Sequence, residues 1–471
     1  MSTAKTVIKN TTILLVGRFL SIGLGIVYVA ALARYIHAAG MGKIAIATSL
    51  VSILNLIINF GLSQLIVRDV AGDKTKAGVY FSNTLVLRGL LSIVFGIIIV
   101  GITRIIEYPY DITLIIYIYG FAYVLDTLTD VAFSIFNAFE KMEYPAAIQT
   151  GRDIANVVLS LLAIYLHANL IMIVFISAVA CLLKLLASLV ILRWRFVRPR
   201  LQIDPQLCRR LLVAAIPFAT LGIISIIDRQ IDVVLLSFYH SEEEVGWFSA
   251  ANTLITYLLL VPGVFMQAIF PVFAKFHTYS RETLQQAYGT SFKYLLLLGF
   301  PLCVGTIVTA DRIITLVYGP GFENAASALR ILSFTLFWIF GYANGTLLNA
   351  TGGQSFLATV EGLGLILNII IALVLIPKFS LIGASIAAIV SGVVFFSPIT
   401  IVCHRRLEMR LPFPLILKCL VSSICMGIAV SLSLRASINL LFSIFVIAPI
   451  VYGVLLLASR AIIFDDIIML A

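Results

Sequence analysis

The sequence predicts an all-α polytopic membrane protein of about fourteen transmembrane helices. They form two six-helix lobes in a parallel pseudo-two-fold repeat around a central cavity, plus two extra C-terminal helices. Three observations predict this fold. Stretches of about 20 apolar residues run almost without interruption from Thr11 to Leu457, and each can cross the ~30 Å hydrocarbon core. Hydrophobic residues make up 61% of the 471 and charged residues 11%, against about 25% charged in ordinary globular proteins. The chain also carries a faint copy of itself.

Hydropathy and helix breakers set the spans in order. Span 1, at 11–36, follows Lys5 and Lys9 as a signal peptide's core would, and Ala31-Leu32-Ala33 offers a small-x-small site. Its apolar region is too long for a signal core and a second span follows at once, so it reads as a retained helix. Spans 2 to 6 fall at 41–64, 83–104, 112–136, 147–166 and 169–192, and the basic connection Arg193 to Arg210 closes an N-terminal lobe, residues 1–203. Spans 7 to 12 fall at 211–237, 244–273, 288–309, 327–349, 355–376 and 381–403, within a C-terminal lobe of residues 204–410. Spans 13 and 14, at 414–434 and 437–459, occupy the additional segment 411–471. Connections are short, so no soluble domain is expected.

The basic residues sort by side. With the N-terminus inside, the connections carrying Arg68, Lys74, Lys76, Lys141, Arg193 to Arg210, Lys275, Arg281, Arg405, Arg406, Arg410 and Arg460 face the cytoplasm. Arg104, Arg312, Lys378 and Arg435 face outward, joined by Arg34, Lys43 and Arg330 just inside the outer ends of their spans, and the bias survives their inclusion. This positive-inside bias places both termini in the cytoplasm and the protein in the cell (plasma) membrane. It also excludes nucleic acid as the partner of a chain with net charge +10. Basic residues in short connections meet anionic membrane lipids instead.

The repeat is read at two offsets. Tyr35, Gly42, Ala47 and Leu50 recur about 204 positions on as Tyr239, Gly246, Ala251 and Leu254, and Gln64 and Ala71 drift by one onto Gln267 and Ala274. Asn137-Ala138 and Ala146 recur near a shift of 212 as Asn349-Ala350 and Ala358. An offset of six helices preserves direction, which makes the repeat parallel, as in transporters with alternating access.

Charges inside spans are costly, so they face a wet cavity or pair with each other. Arg18, Arg88, Arg152 and Lys184 lie in the cytoplasmic half of the first lobe and form a cationic funnel. Arginine's planar fork suits a diphosphate; the bland alternative is snorkelling to inner headgroups. Asp153 beside Arg152 makes local pairing a third option. Arg18, about one third into span 1, is hardest to explain by snorkelling. Asp126 and Asp130 share a helix face, as do Asp228 and Asp232 around Arg229, and Glu361 stands in span 11. Like charges on one face need a proton or a cation. The carboxylates therefore read either as a proton- or Na⁺-coupling site or as charge partners of the intramembrane arginines, the second requiring no extra function.

No catalytic signature appears. The five histidines are scattered, with His37 and His240 at equivalent outer ends, and HExxH, GxSxG and phosphate-loop patterns are missing. The six cysteines, without CxxC spacing, read as small buried hydrophobes, so no metal or cofactor is expected. Phe121, Tyr123, Trp338 and Tyr342 could line a sugar path, though such residues more often pack against helices or lipid.

Several motifs in order carry a resemblance. They are Ala33-Arg34-Tyr35 with Gly42, Gly61-Leu62-Ser63-Gln64 with Arg68, and Phe136-Asn137-Ala138-Phe139-Glu140-Lys141. Asp228-Arg229 with Asp232, Glu244-Val245-Gly246 with Ala250-Ala251, Tyr318-Gly319 with Phe322, and Pro377-Lys378 with Gly383-Ala384-Ser385 follow. In these the chain resembles the polysaccharide exporters, Wzx-type O-antigen and teichoic-acid flippases. Their superfamily also holds multidrug (MATE) exporters and the lipid II flippase. The resemblance covers nearly the whole chain. It implies two six-helix lobes around a V-shaped cavity and a polyprenyl-diphosphate-linked glycan carried from the cytoplasmic to the outer leaflet. It also implies cavity arginines on the diphosphate, a role for which Arg18 and Arg229 sit on suitable helices. Glycosyltransferases or a polymerase of the same pathway are the implied protein partners.

Three rival readings remain at this level. A MATE-like drug or cation exporter would rest on the paired aspartates, and its cationic substrate sits badly beside a basic funnel. A membrane-embedded glycan polymerase or glycosyltransferase would need a large outer loop or an acidic catalytic site near one surface, and a non-transporting scaffold would need neither.

Overall fold

The computed structural model describes the backbone of residues 3–197, 203–409 and 411–461 and their side chains except at 3–22 and 217–221. Regular structure among these residues is helical. The helices are α1 (Thr3–Leu54), α2 (Leu56–Asn59), α3 (Leu62–Gly72), α4 (Ala77–Ile106), α5 (Tyr110–Ala138), α6 (Glu143–Tyr165), α7 (Leu170–Arg195) and α8 (Pro205–Tyr239). They continue as α9 (Glu242–Tyr279), α10 (Arg281–Tyr318), α11 (Ala325–Leu332), α12 (Gly341–Ala350), α13 (Gln354–Arg406), α14 (Phe413–Arg435), α15 (Leu440–Phe442) and α16 (Ala448–Ala458). A 3₁₀ stretch, Ser333–Phe340, joins α11 to α12, and a π turn, Ser443–Ile447, joins α15 to α16.

Among the described residues, 11 helical spans are long and apolar enough to cross a membrane. Two of them, Gly23–Gly72 and Gln354–Arg406, hold 50 and 53 residues, or roughly 75–80 Å of helix, more than two bilayer cores. Each is divided at a residue of positive φ, His37 (φ 58°) and Ser380 (φ 51°), and the first is broken again at Phe60 and Gly61. The expected connections at those places shrink to a single strained residue. The protein is thus an all-α, multi-pass membrane protein with further helices at its C-terminal end.

The chain divides by its packing into two units. The first holds Met1–Ser237 and Ser241–Gly246, the second Phe238–His240 and Trp247–Ala471. The packing boundary lies one helix beyond the repeat boundary near 204. The reason is visible at the start of α8, where Leu211 and Ala215 pack with Leu62, Leu65 and Leu87 of the first unit.

In the first unit α5 is central, touching α1, α3, α4, α6 and α7. Its end nearest Ala138 is sealed by Ile66, Val70, Phe81, Ile135, Phe136 and Leu192, with Phe196 edge-on to Phe139 and Tyr144. In the second unit α10 packs on α11, α12 and α14, and α13 on α11 and α12. A buried polar network ties that unit together. Tyr288 Oη donates to Asn344 Oδ1 at 2.6 Å, and Asn344 Nδ2 donates to Thr400 Oγ1 at 2.7 Å.

One contact in the first unit joins residues 204 positions apart in sequence. A Cβ placed on Gly42 would strike the carbonyl oxygen of Glu242, and one on Gly246 would strike that of Ala38. Gly246 and Glu242 are the residues 204 positions beyond Gly42 and Ala38. Equivalent residues therefore meet reciprocally, as a local two-fold requires. Lys43 adds an ion pair with Asp111 and lies 3.6 Å from the Glu242 carboxylate.

Candidate functional site

The first unit collects half of the predicted charges around α5, namely Arg88, Asp126, Asp130, Arg152 and Lys184. Asp126 and Asp130 sit one turn apart on α5, and α7 brings Lys184 against them. Lys184 Nζ donates to Asp126 Oδ1 at 2.6 Å and lies 5.0 Å above the Phe133 ring. The lysine side chain is 4% exposed and the aspartate side chain 44%, so the pair is dry on one side and wet on the other. Asp130 lies within electrostatic reach of Asp126, Arg88 and Lys184. On α6, Arg152 donates to Asp153 Oδ1 at 3.2 Å and to the Cys181 thiol at 3.5 Å. Its Nε is buried without a hydrogen-bond partner.

Removing one member of the α5–α7 pair should cost more than removing both. Lys184→Ala is expected to destabilise by about 2 kcal/mol, below the range for a fully enclosed pair because Asp126 keeps its wet side. Lys184→Met with Asp126→Asn should recover most of that loss. Thermal melting of the purified variants checks this; a double variant no more stable than Lys184→Ala would remove the pairing from the account.

Arg88 takes a different part. It is fully buried on α4. Its guanidinium donates to the Thr127 carbonyl, to Asn59 Oδ1 at 3.2 Å and to Ser63 Oγ at 2.8 Å. Asn59 and Ser63 flank a break between α2 and α3, where Phe60 (φ 31°) and Gly61 (φ 69°) are left-handed. Gly61 takes this conformation at little cost, Phe60 does not. Such broken helices inside a membrane are stable only when protein or a wet cavity satisfies the freed backbone. Arg88 bridges the break on one side, and on the other lies a cavity of about 360 Å³ lined by Asn59, Phe60, Ser63, Gln64, Asp130, Phe133, Ser134 and Asn137, with Gly222, Ile223 and Ile226 of α8.

The remaining predicted residues are placed as follows. The Arg18 side chain lies outside the described residues. Arg229 is exposed on α8, Asp228 is half-buried and Asp232 is buried. Glu361 is half-buried on α13, in the second unit. Of the aromatic candidates, Tyr123 hydrogen-bonds Ser52 at 2.9 Å, Trp338 stacks on Phe396, and Phe121 is exposed. Asn59, Ser63 and Phe133 were not among the expected site residues. A signal for them exists: Asn59-Phe60-Gly61 is a turn-forming run in the middle of span 2.

The polysaccharide biosynthesis protein family model matches residues 7–277. The chain belongs to this family. Among relatives, the teichuronic acid biosynthesis protein TuaB of Bacillus subtilis is 27% identical over 125 residues, 26% of each chain. The capsular polysaccharide biosynthesis protein CapF of Staphylococcus aureus is 21% identical over 82% of this chain and 96% of its own. The match to the first of these spans about a quarter of its length. Among solved structures, the lipid II flippase MurJ in an inward closed conformation superposes with a TM-score of 0.76 at 16% identity, covering 97% of this chain and 99% of that one. This family member therefore has the fold of a transporter.

Proposed function

We propose that this protein is a flippase that carries a polyprenyl-diphosphate-linked oligosaccharide from the cytoplasmic to the outer leaflet of the plasma membrane, for cell-surface polysaccharide or glycan assembly. The observation that carries this reading is the family match over residues 7–277 in a chain with a transporter's fold. In this reading the chain crosses the membrane fourteen times, in two six-helix lobes followed by two helices, with both termini cytoplasmic.

The charges support a division of labour. Arg18, Arg152 and Arg229 meet the diphosphate directly. Lys184, already neutralised by Asp126 at 2.6 Å, exchanges its carboxylate for a phosphate oxygen when the headgroup enters. That exchange gives the loaded state the differential affinity that any population shift requires. Asp126 then holds a proton or faces water, while Asp228, Asp232 and Glu361 act as charge partners or coupling sites. The polyprenyl tail stays in lipid, along α14 to α16.

Reconstitution into liposomes with a fluorescent lipid-linked oligosaccharide tests the reading, scoring leaflet exchange with and without H⁺ or Na⁺ gradients. Exchange that depends on the protein is expected; its absence removes the flippase. Arg18→Ala should abolish exchange while leaving the protein in the membrane, and full activity in that variant takes Arg18 out of the mechanism.

A further inference from the structure

The cavity beside the α2–α3 break differs in chemistry from the cationic cluster. Its polar wall, Asn59, Ser63, Gln64, Asp130, Ser134 and Asn137, is neutral or acidic. Arg88 stands behind this wall, and its two bonds decide what the wall presents. Asn59 Oδ1 spends one lone pair on Arg88, which fixes the orientation of the amide and leaves its two Nδ2 donors beside one remaining acceptor site. Ser63 Oγ also accepts from Arg88, which leaves its own hydrogen to donate. Asp130 supplies acceptors, and Asn137 supplies a donor and an acceptor together. Phe60 and Phe133 add aromatic rings to the same wall.

Fixed donors beside fixed acceptors and ring faces suit a sugar, whose hydroxyls both donate and accept and whose C–H face lies on an aromatic ring. A diphosphate would be repelled by Asp130. An alkyl tail would leave the amides unpaired. The volume, about 360 Å³, falls within the size range of small-ligand sites. Lys184 lies over the Phe133 ring at 5.0 Å, so a diphosphate on Lys184 and a sugar on Phe133 would be neighbours, as they are in a lipid-linked glycan.

We propose that this cavity is a carbohydrate subsite that grips the glycan next to the diphosphate, with Arg88 as the residue that positions its donors. The proposal rests on the flippase reading and adds where, and by which atoms, the sugar is held.

The test measures equilibrium binding to the full chain in nanodiscs with two probes, undecaprenyl diphosphate and the same lipid bearing one N-acetylglucosamine. The natural chain should bind the sugar-bearing lipid about tenfold more tightly. Asn59→Asp keeps shape and the acceptor for Arg88 but turns the two donors into an acceptor. It should bring the ratio of the two affinities within about twofold, a readout in which the added carboxylate's repulsion of the diphosphate cancels because both lipids carry it. Arg88→Lys, whose shorter side chain ends before the Nη2 position that holds both Asn59 and Ser63, should weaken the preference in the same direction. Equal binding of both lipids by the natural chain, or an unchanged ratio of the two affinities in Asn59→Asp, overturns the subsite. So does an Asp130→Asn variant that alters Na⁺ dependence but keeps the preference, since the cavity would then serve an ion. Leaflet exchange without sugar preference removes the subsite and keeps the flippase; preference without exchange does the reverse.

Discussion

Arg88→Ala is expected to cost about 3–5 kcal/mol, the largest loss of any single side chain in the first unit. The argument runs through what the substitution leaves behind. Arg88 is fully buried, so its removal opens a cavity and strands three acceptors, the Thr127 carbonyl, Asn59 Oδ1 and Ser63 Oγ. It also leaves Asp130 without the cation behind it. Polar contacts between membrane helices are often worth less than 1 kcal/mol each, because the separated helices find other partners. That discount is small here, since Phe60 N–H alone reaches back to the Leu56 carbonyl and no side chain caps the start of α3 at Gly61, so Asn59 and Ser63 depend on Arg88 across the break. Arg88→Lys should lose roughly half as much, because one ammonium reaches some but not all three acceptors. Melting temperatures in detergent, with membrane accumulation as a second readout, check the order Arg88, Lys, Ala. Equal melting of all three would mean that the break is held by packing alone.

The spans were legible because burial in lipid demands long apolar runs, and those are a property of sequence alone. Their ends were less so. Span 7 was expected from residue 211, yet α8 starts at Pro205, since hydropathy ends a span at Arg209 and Arg210 whereas both are good helix formers that carry the helix on. Span 2 was expected as one helix over 41–64. Hydropathy does not register a left-handed pair such as Phe60 and Gly61 when the residues on both sides are apolar. The carboxylate spacing on α5 was readable as one face. That Asp126 meets Lys184, 58 residues on, depends on the rotation of α5 against α7. The charge asymmetry was readable in retrospect: at the 212 offset Asp126 and Asp130 have Trp338 and Tyr342 as counterparts, so only one repeat carries the acidic pair.

The reciprocal contact of the two repeats leads to the second large effect. Gly42→Ala and Gly246→Ala should each cost about 3 kcal/mol, the upper end for overpacking, because the added methyl meets backbone that cannot rotate aside. The two losses should also be nearly equal, since Gly42 against Glu242 mirrors Gly246 against Ala38. The double variant decides between two pictures. If each methyl meets an independent obstacle, the losses add. If both are relieved by one separation of α1 from the start of α9, the double variant should cost little more than either single one. We expect the second, because both clashes lie across the same contact and that separation also draws Lys43 from Glu242, now 3.6 Å apart. Melting of the four proteins measures the coupling directly. Fully additive losses would sink the shared contact, and singles without cost would mean that the repeats do not approach at these glycines.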